Sequence, residues 1–106
     1  MDVKELNFEE SVNFVNQNKT ALVWIGSEPK EYIEELLNLE KNTLKQLTPA
    51  QITSMSKDDA KLYNNHVFVC YHGNSSRYVA NFLKDKHGVE AVSMKGGVTS
   101  VVGEIF

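Results

Sequence analysis

The sequence holds a single cysteine, Cys70, among 106 residues. One cysteine excludes an internal disulfide and a cysteine-rich zinc site. Basic runs are missing too. Lysine and arginine are scattered, the formal net charge is −3 and the pI is about 5.6. A nucleic-acid partner normally leaves a basic footprint, so none is expected. No apolar run approaches the roughly 18–20 residues of a helical membrane span. The longest are short, such as Ala21 to Ile25. Met1 to Glu5 shows no basic start followed by an apolar core. A secretory leader is therefore not expected, and the cytoplasm is the default compartment. No glycine-rich nucleotide fingerprint occurs, and the three histidines are dispersed without ligand spacing. The expectation is no cofactor, no metal and no membrane.

What is present is a globular composition, with 42% hydrophobic and 24% charged residues, which argues against disorder. The length suits one domain spanning 1–106. No repeat, low-complexity tract or linker interrupts it. Asn7 with Glu10 reads as a capping box, and Phe8, Val12 and Val15 then share one helical face. The helix ends at Asn16 to Lys19. Thr20 to Ile25 is a continuous apolar run, as in a strand buried on both faces of a parallel sheet. Ser27 to Lys30 reads as a cap with an early proline, opening a helix that carries Tyr32, Ile33, Leu36, Leu37 and Leu39. Thr48-Pro49 starts another, with helical pattern to Leu62 and a break near Ser54 to Ser56. Val67 to Cys70 is a second buried strand. Arg77 to Lys86 reads as a helix with Val79, Ala80, Phe82 and Leu83 inward, closed by Gly88. Val89 to Met94 is a third strand, and the tail from Val98 to Phe106 is expected to dock as a helical turn or strand. Alternating strands and helices predict an α/β fold, with a mostly parallel central sheet flanked by helices on both faces. Ligands bind such sheets at the carboxyl ends of strands, and Cys70 lies at one.

The chemistry concentrates in Cys70-Tyr71-His72-Gly73-Asn74-Ser75-Ser76-Arg77. A strand runs into the cysteine, a small polar loop follows, and a helix is expected to begin near Ser76. The first turn of a helix presents unpaired N–H groups and partial positive charge. A loop wound around the sulfur adds further N–H groups, as an anion nest does. Both favour the thiolate, the form that attacks sulfur, phosphorus or arsenic centres. Gly73 admits backbone shapes other residues resist. Ser75 and Ser76 offer hydroxyls, and Arg77 a permanent charge if it points inward. Cys70 is the candidate nucleophile; Tyr71, His72, Gly73, Asn74, Ser75, Ser76 and Arg77 are the candidate anion-binding residues.

This segment resembles the rhodanese active-site loop, Cys-x-x-Gly-x-Arg-Ser followed by a helix with small apolar residues. Cys70, Gly73 and Ser76 are in register, and Tyr78 to Leu83 fits the helix. Gly88 to Val98, with Lys95-Gly96-Gly97, resembles the family's strand and "L-x-G-G" ending. The resemblance covers Val67 to Val98, about a third of the chain. It implies a rhodanese-like fold and sulfurtransferase chemistry. Cys70 would take sulfur from a small sulfur-containing anion, thiosulfate or a persulfide. It would hold that sulfur as a persulfide and pass it to cyanide, a thiol or a protein acceptor. The sequence departs from the family at several points. Ser75 stands where the loop arginine is usual. Trp24-Ile25-Gly26 stands where an Asp-x-Arg element ends the first strand, with Glu31-Tyr32 after it. The polar stretch Asn38 to Ser56, read as helical, replaces a Gly-His-Ile-x-Gly-Ala segment.

Other readings stay open. Cys70 also fits a small buried residue at a strand end. His72 fits a surface histidine, and Ser75 and Ser76 fit plain helix caps. Trp24 fits the core or a pocket wall, and Gly96-Gly97 a tight turn near the loop. A phosphatase or arsenate reductase needs five residues between cysteine and arginine; here six separate Cys70 from Arg77. A catalytically inactive binding or regulatory module is the alternative function.

Overall fold

The computed structural model describes residues 3–103. Five strands form one sheet in the order β1-β5-β4-β2-β3, and every pairing is parallel. The strands are β1 (Lys4–Leu6), β2 (Leu22–Trp24), β3 (Leu44–Gln46), β4 (Val67–Val69) and β5 (Val92–Met94). Between them run α1 (Phe8–Asn18), α2 (Lys30–Leu36), α3 (Pro49–Thr53), α4 (Lys57–Lys61) and α5 (Asn74–His87). The helix α6 (Thr99–Val102) follows β5.

Side-chain alternation along the three central strands makes two cores. Val23, Ile25, Phe68, Cys70 and Ala91 face one side, under Ile52 of α3, Ala60 of α4 and Val79, Ala80 and Leu83 of α5. Leu22, Trp24, Val67, Val69, Val92 and Met94 face the other, with Val15 of α1, Ile33 and Leu37 beside α2, and Val98. Both faces are therefore covered, as the apolar runs required.

Most helix ends follow the expected chemistry. Asn7 accepts from the Glu10 N–H while Glu10 accepts from the Asn7 N–H, at 2.8 and 3.0 Å. Thr48 and Gln51 repeat the device ahead of Pro49. Gly88 closes α5 with φ 69°. Helices α3 and α4 meet at a break around Ser54 to Ser56.

Several expectations need correction. Asn38 to Ser56 is not one helical stretch: it carries β3 and the five-residue α3. The Leu44 N–H is tied to the buried Glu34 carboxylate at 2.9 Å, and the Leu47 N–H reaches the Trp24 carbonyl at 3.0 Å. The edge strands β1 and β3 were both absent from the sequence reading. Pro29, rather than Ser27, occupies the cap of α2, without a side-chain bond. That helix ends at Leu36, so Leu37 and Leu39 lie beyond it. Most consequential for the site, α5 begins at Asn74, two residues before Ser76. The tail forms α6, and its last three residues lie outside the described ones.

Candidate active site

Strand β4 delivers Cys70 to the carboxyl edge of the sheet, and the chain then turns sharply into α5. Gly73 is the N-cap of that helix at φ 93°, a left-handed shape that favours glycine. Space demands glycine as well, because a Cβ there would sit 2.9 Å from the Gly96 nitrogen. The turn wraps the main chain around the sulfur. The Gly73 N–H donates to Cys70 Sγ at 3.0 Å, and the Ser76 N–H donates at 3.3 Å. Ser76 lies in the first turn of α5, so its N–H is one a helix leaves unpaired. The helix dipole adds to it. Negative charge on this sulfur therefore meets two main-chain donors already in place.

Beneath the sulfur lies a buried hydroxyl pair. Ser76 Oγ is 3.4 Å from Cys70 Sγ and 2.7 Å from Ser93 Oγ, and both serines are fully buried. Ser76 Oγ also lies 3.3 Å from the Gly73 carbonyl. An anionic sulfur can accept from the Ser76 hydroxyl, which in turn can accept from Ser93. Ser93 was not among the candidate residues. Strand alternation from Ala91, two positions earlier on the same face, was the signal that could have found it.

A second turn clasps the loop from the side. Val98 N–H donates to the Cys70 carbonyl and Thr99 N–H to the Tyr71 carbonyl, each at 2.9 Å. Gly97 permits this approach, since a Cβ there would overlap the Cys70 carbonyl oxygen and lie 2.5 Å from Tyr71 C. Gly96-Gly97 is thus a turn packed on the cysteine loop, as read from the sequence.

A cleft of about 300 Å³ opens beside the sulfur, lined by Ile25, Gly26, Pro49, Cys70, Tyr71, His72, Asn74 and Ser75. Cys70 is 7% exposed. Ile25 and Gly26 follow the carboxyl end of the neighbouring strand β2, and Pro49 opens α3; no local sequence pattern marks them as cleft residues. Tyr71 stacks edge-on against Trp24, with centroids 5.0 Å apart. Burial pushes its phenol pKa up, and the nearby Glu28 carboxylate adds to the effect. Trp24 itself is core, fully buried, with its indole N–H on the Glu28 carbonyl at 2.9 Å. The Thr99 hydroxyl bonds the Tyr71 carbonyl at 3.0 Å and sits 3.3 Å from His72 Nδ1.

Not every candidate reaches the cleft. Gly73 and Ser76 act from below it, through the sulfur. Arg77, the sole arginine of the sequence, is exposed and lies outside the cleft walls. Its guanidinium is 3.4 Å from Asn74 Oδ1. Lys95 is exposed and also lies outside the walls. Among the described residues no group of three or more His, Cys, Asp or Glu side chains could hold a metal ion, and no helix is long and apolar enough to cross a membrane.

A parallel α/β sheet with a cysteine cradled at the carboxyl edge of its middle strand defines the class of protein. The fold is that of rhodanese-like domains. The chain superposes on a rhodanese homologue from Thermus thermophilus with a TM-score of 0.61, at 17% identity, covering 92% of this chain and all of that one. It superposes on a rhodanese-like domain protein from Staphylococcus aureus with a TM-score of 0.59, at 20% identity, covering 97% and 94%. A rhodanese-related protein from Thermoplasma volcanium gives 0.55 at 18% identity, with coverage of 97% and 94%. No family model and no curated protein matches the sequence.

Proposed function

We propose that this protein is a sulfurtransferase or persulfide carrier whose nucleophile is Cys70. The Cys70 sulfur attacks the outer sulfur of a donor, thiosulfate or a persulfide. The donor's S–S or S–SO3 bond breaks, and its electron pair leaves with the departing thiolate or sulfite. The sulfur stays on Cys70 as a persulfide until a thiol or protein acceptor attacks it. The single observation that carries this reading is the convergence of the Gly73 and Ser76 N–H groups on Cys70 Sγ beside an open cleft. Such donors stabilise negative charge on sulfur before and after transfer. Tyr71, His72, Asn74 and Ser75 form the rim where donor and acceptor enter. Arg77 acts there at most through Asn74.

A binding module is the second reading, favoured by one observation: no arginine or lysine among the described residues lines the cleft. The same observation weighs against phosphoryl transfer, which concentrates charge on three oxygens.

The test is an intact-mass measurement on reduced protein after incubation with thiosulfate and, separately, with glutathione persulfide. A gain of one sulfur atom in the wild type, and none in Cys70→Ser, is expected. No gain from either donor overturns the reading and leaves the binding module.

A further inference from the structure

The cradle and the cleft make different demands on a donor, and this inference rests on the persulfide reading above. The cradle is polar and spent on one atom: two N–H groups and one hydroxyl address Cys70 Sγ. Among the described residues the cleft walls contain no Lys, Arg, Asp or Glu, and His72 is their one basic side chain. Ile25 and Pro49 give them apolar surface. The sole arginine is turned to Asn74 outside the walls. The Arg77 guanidinium meets the rim only through Asn74, 3.4 Å from its Oδ1, and the Glu28 carboxylate adds negative potential at the Tyr71 phenol. The chain as a whole is acidic, at −3.

Thiosulfate is a dianion, and its transfer expels sulfite, which carries two negative charges on three oxygens. A site for that leaving group needs fixed cations, ideally a planar arginine fork. An organic hydropersulfide, R–S–SH, makes a smaller demand. Its leaving group carries one thiolate charge next to a methylene, and any further charges of R lie several bonds from the reacting sulfur.

We infer that the cleft selects donors whose leaving group is an organic thiol, and discriminates against thiosulfate. The Cys70 thiolate pair forms a bond to the terminal sulfur of R–S–SH. The S–S bond of the donor breaks, and its electron pair departs as R–S⁻. The proton of R–S–SH travels with the terminal sulfur, giving Cys70–S–SH. No outside oxidant or reductant takes part. The stem R packs against Ile25 and Pro49, and the emerging thiolate lies at the rim near His72 and Asn74.

The test compares single-turnover loading of reduced protein by glutathione persulfide and by thiosulfate, read by mass, in the wild type and in Ser75→Arg. Ser75 lines the cleft from an exposed position in the first turn of α5. The substitution places one cation beside the leaving group. Persulfide loading faster than thiosulfate loading by about tenfold or more is expected. Ser75→Arg should raise thiosulfate loading by about tenfold, as one added unit charge close to a dianion does. Thiosulfate loading the wild type as fast as the persulfide overturns the inference while Cys70 chemistry stands. So does an unchanged thiosulfate rate in a Ser75→Arg protein that still loads from the persulfide. Loading by neither donor overturns the inference together with the sulfurtransferase reading.

Discussion

Gly97 offers the sharpest test of how the cysteine loop is held. Its φ of 62° is left-handed, so alanine there costs about 1 kcal/mol in backbone strain. A second cost is specific to the site. The new Cβ would overlap the Cys70 carbonyl oxygen and lie 2.5 Å from both C and O of Tyr71. These are main-chain atoms, and they already accept from the Val98 and Thr99 N–H groups. Relief requires moving the loop, at about 1–3 kcal/mol by analogy with overpacked cores. Gly97→Ala should therefore lose about 2–4 kcal/mol of stability. Gly88 supplies the control. It has φ 69°, and nothing lies within 4 Å of its virtual Cβ, so Gly88→Ala should lose only the strain, about 1 kcal/mol. Urea unfolding of the two variants measures the difference, and alkylation of Cys70 reports the loop. The reactivity of Cys70 should change in Gly97→Ala and stay unchanged in Gly88→Ala. If the two variants fall within about 0.5 kcal/mol of each other, with equal Cys70 reactivity, the clasp does not hold the loop.

Two further perturbations follow from buried polar groups. His66 is packed on Tyr63, with its ring nitrogens 3.2 Å from the Asn64 carbonyl and 2.9 Å from Lys45 Nζ. Burial is the main cause of its lowered pKa, and the Lys45 charge lowers it further. The unfolded chain therefore binds a proton more readily than the fold does. Stability from this group is complete above its ordinary 6.5 and declines as pH falls through 6.5 toward the lower folded value. His66→Gln should flatten that part of a stability–pH curve; an unchanged slope would contradict the assignment. Ser93→Ala removes the hydroxyl that is hydrogen-bonded to Ser76 at 2.7 Å. Sulfur loading of Cys70 should slow about threefold to tenfold, with a stability loss near 1 kcal/mol. Ser93→Thr should restore part of the rate, whereas equal loading by Ser93→Ala and wild type would show the pair to be only structural.

The sequence was most informative where burial acts on both faces of a strand. Leu22 to Trp24 and Val67 to Val69 are apolar at every position, and no surface strand or loop would carry such runs. Lys4–Leu6 and Leu44–Gln46 were silent because edge strands carry polar, outward residues such as Glu5, Lys45 and Gln46. Their neighbours' hydrogen bonds, which no local pattern records, make them strands. The site divides along the same line. Cys70, Gly73 and Ser76 were legible because a tight strand-to-helix turn needs them in sequence order. The start of α5 was placed too late because Asn74 and Ser75 favour turns and caps, yet Gly73 serves as the cap. Ile25, Pro49 and Ser93 reach the cysteine only through the parallel register, from distant parts of the chain.

The sulfur's principal donors belong to the main chain, so no side-chain exchange short of proline removes them while the turn keeps its shape. Residues at the rim enjoy the opposite freedom. Ser75 and Asn74 face the cleft without carrying the loop. A scaffold divided in this way can change what it accepts without rebuilding where it reacts. New donors or docking partners would come within reach through a few rim substitutions, while Gly73 and Gly97 stay constrained by geometry.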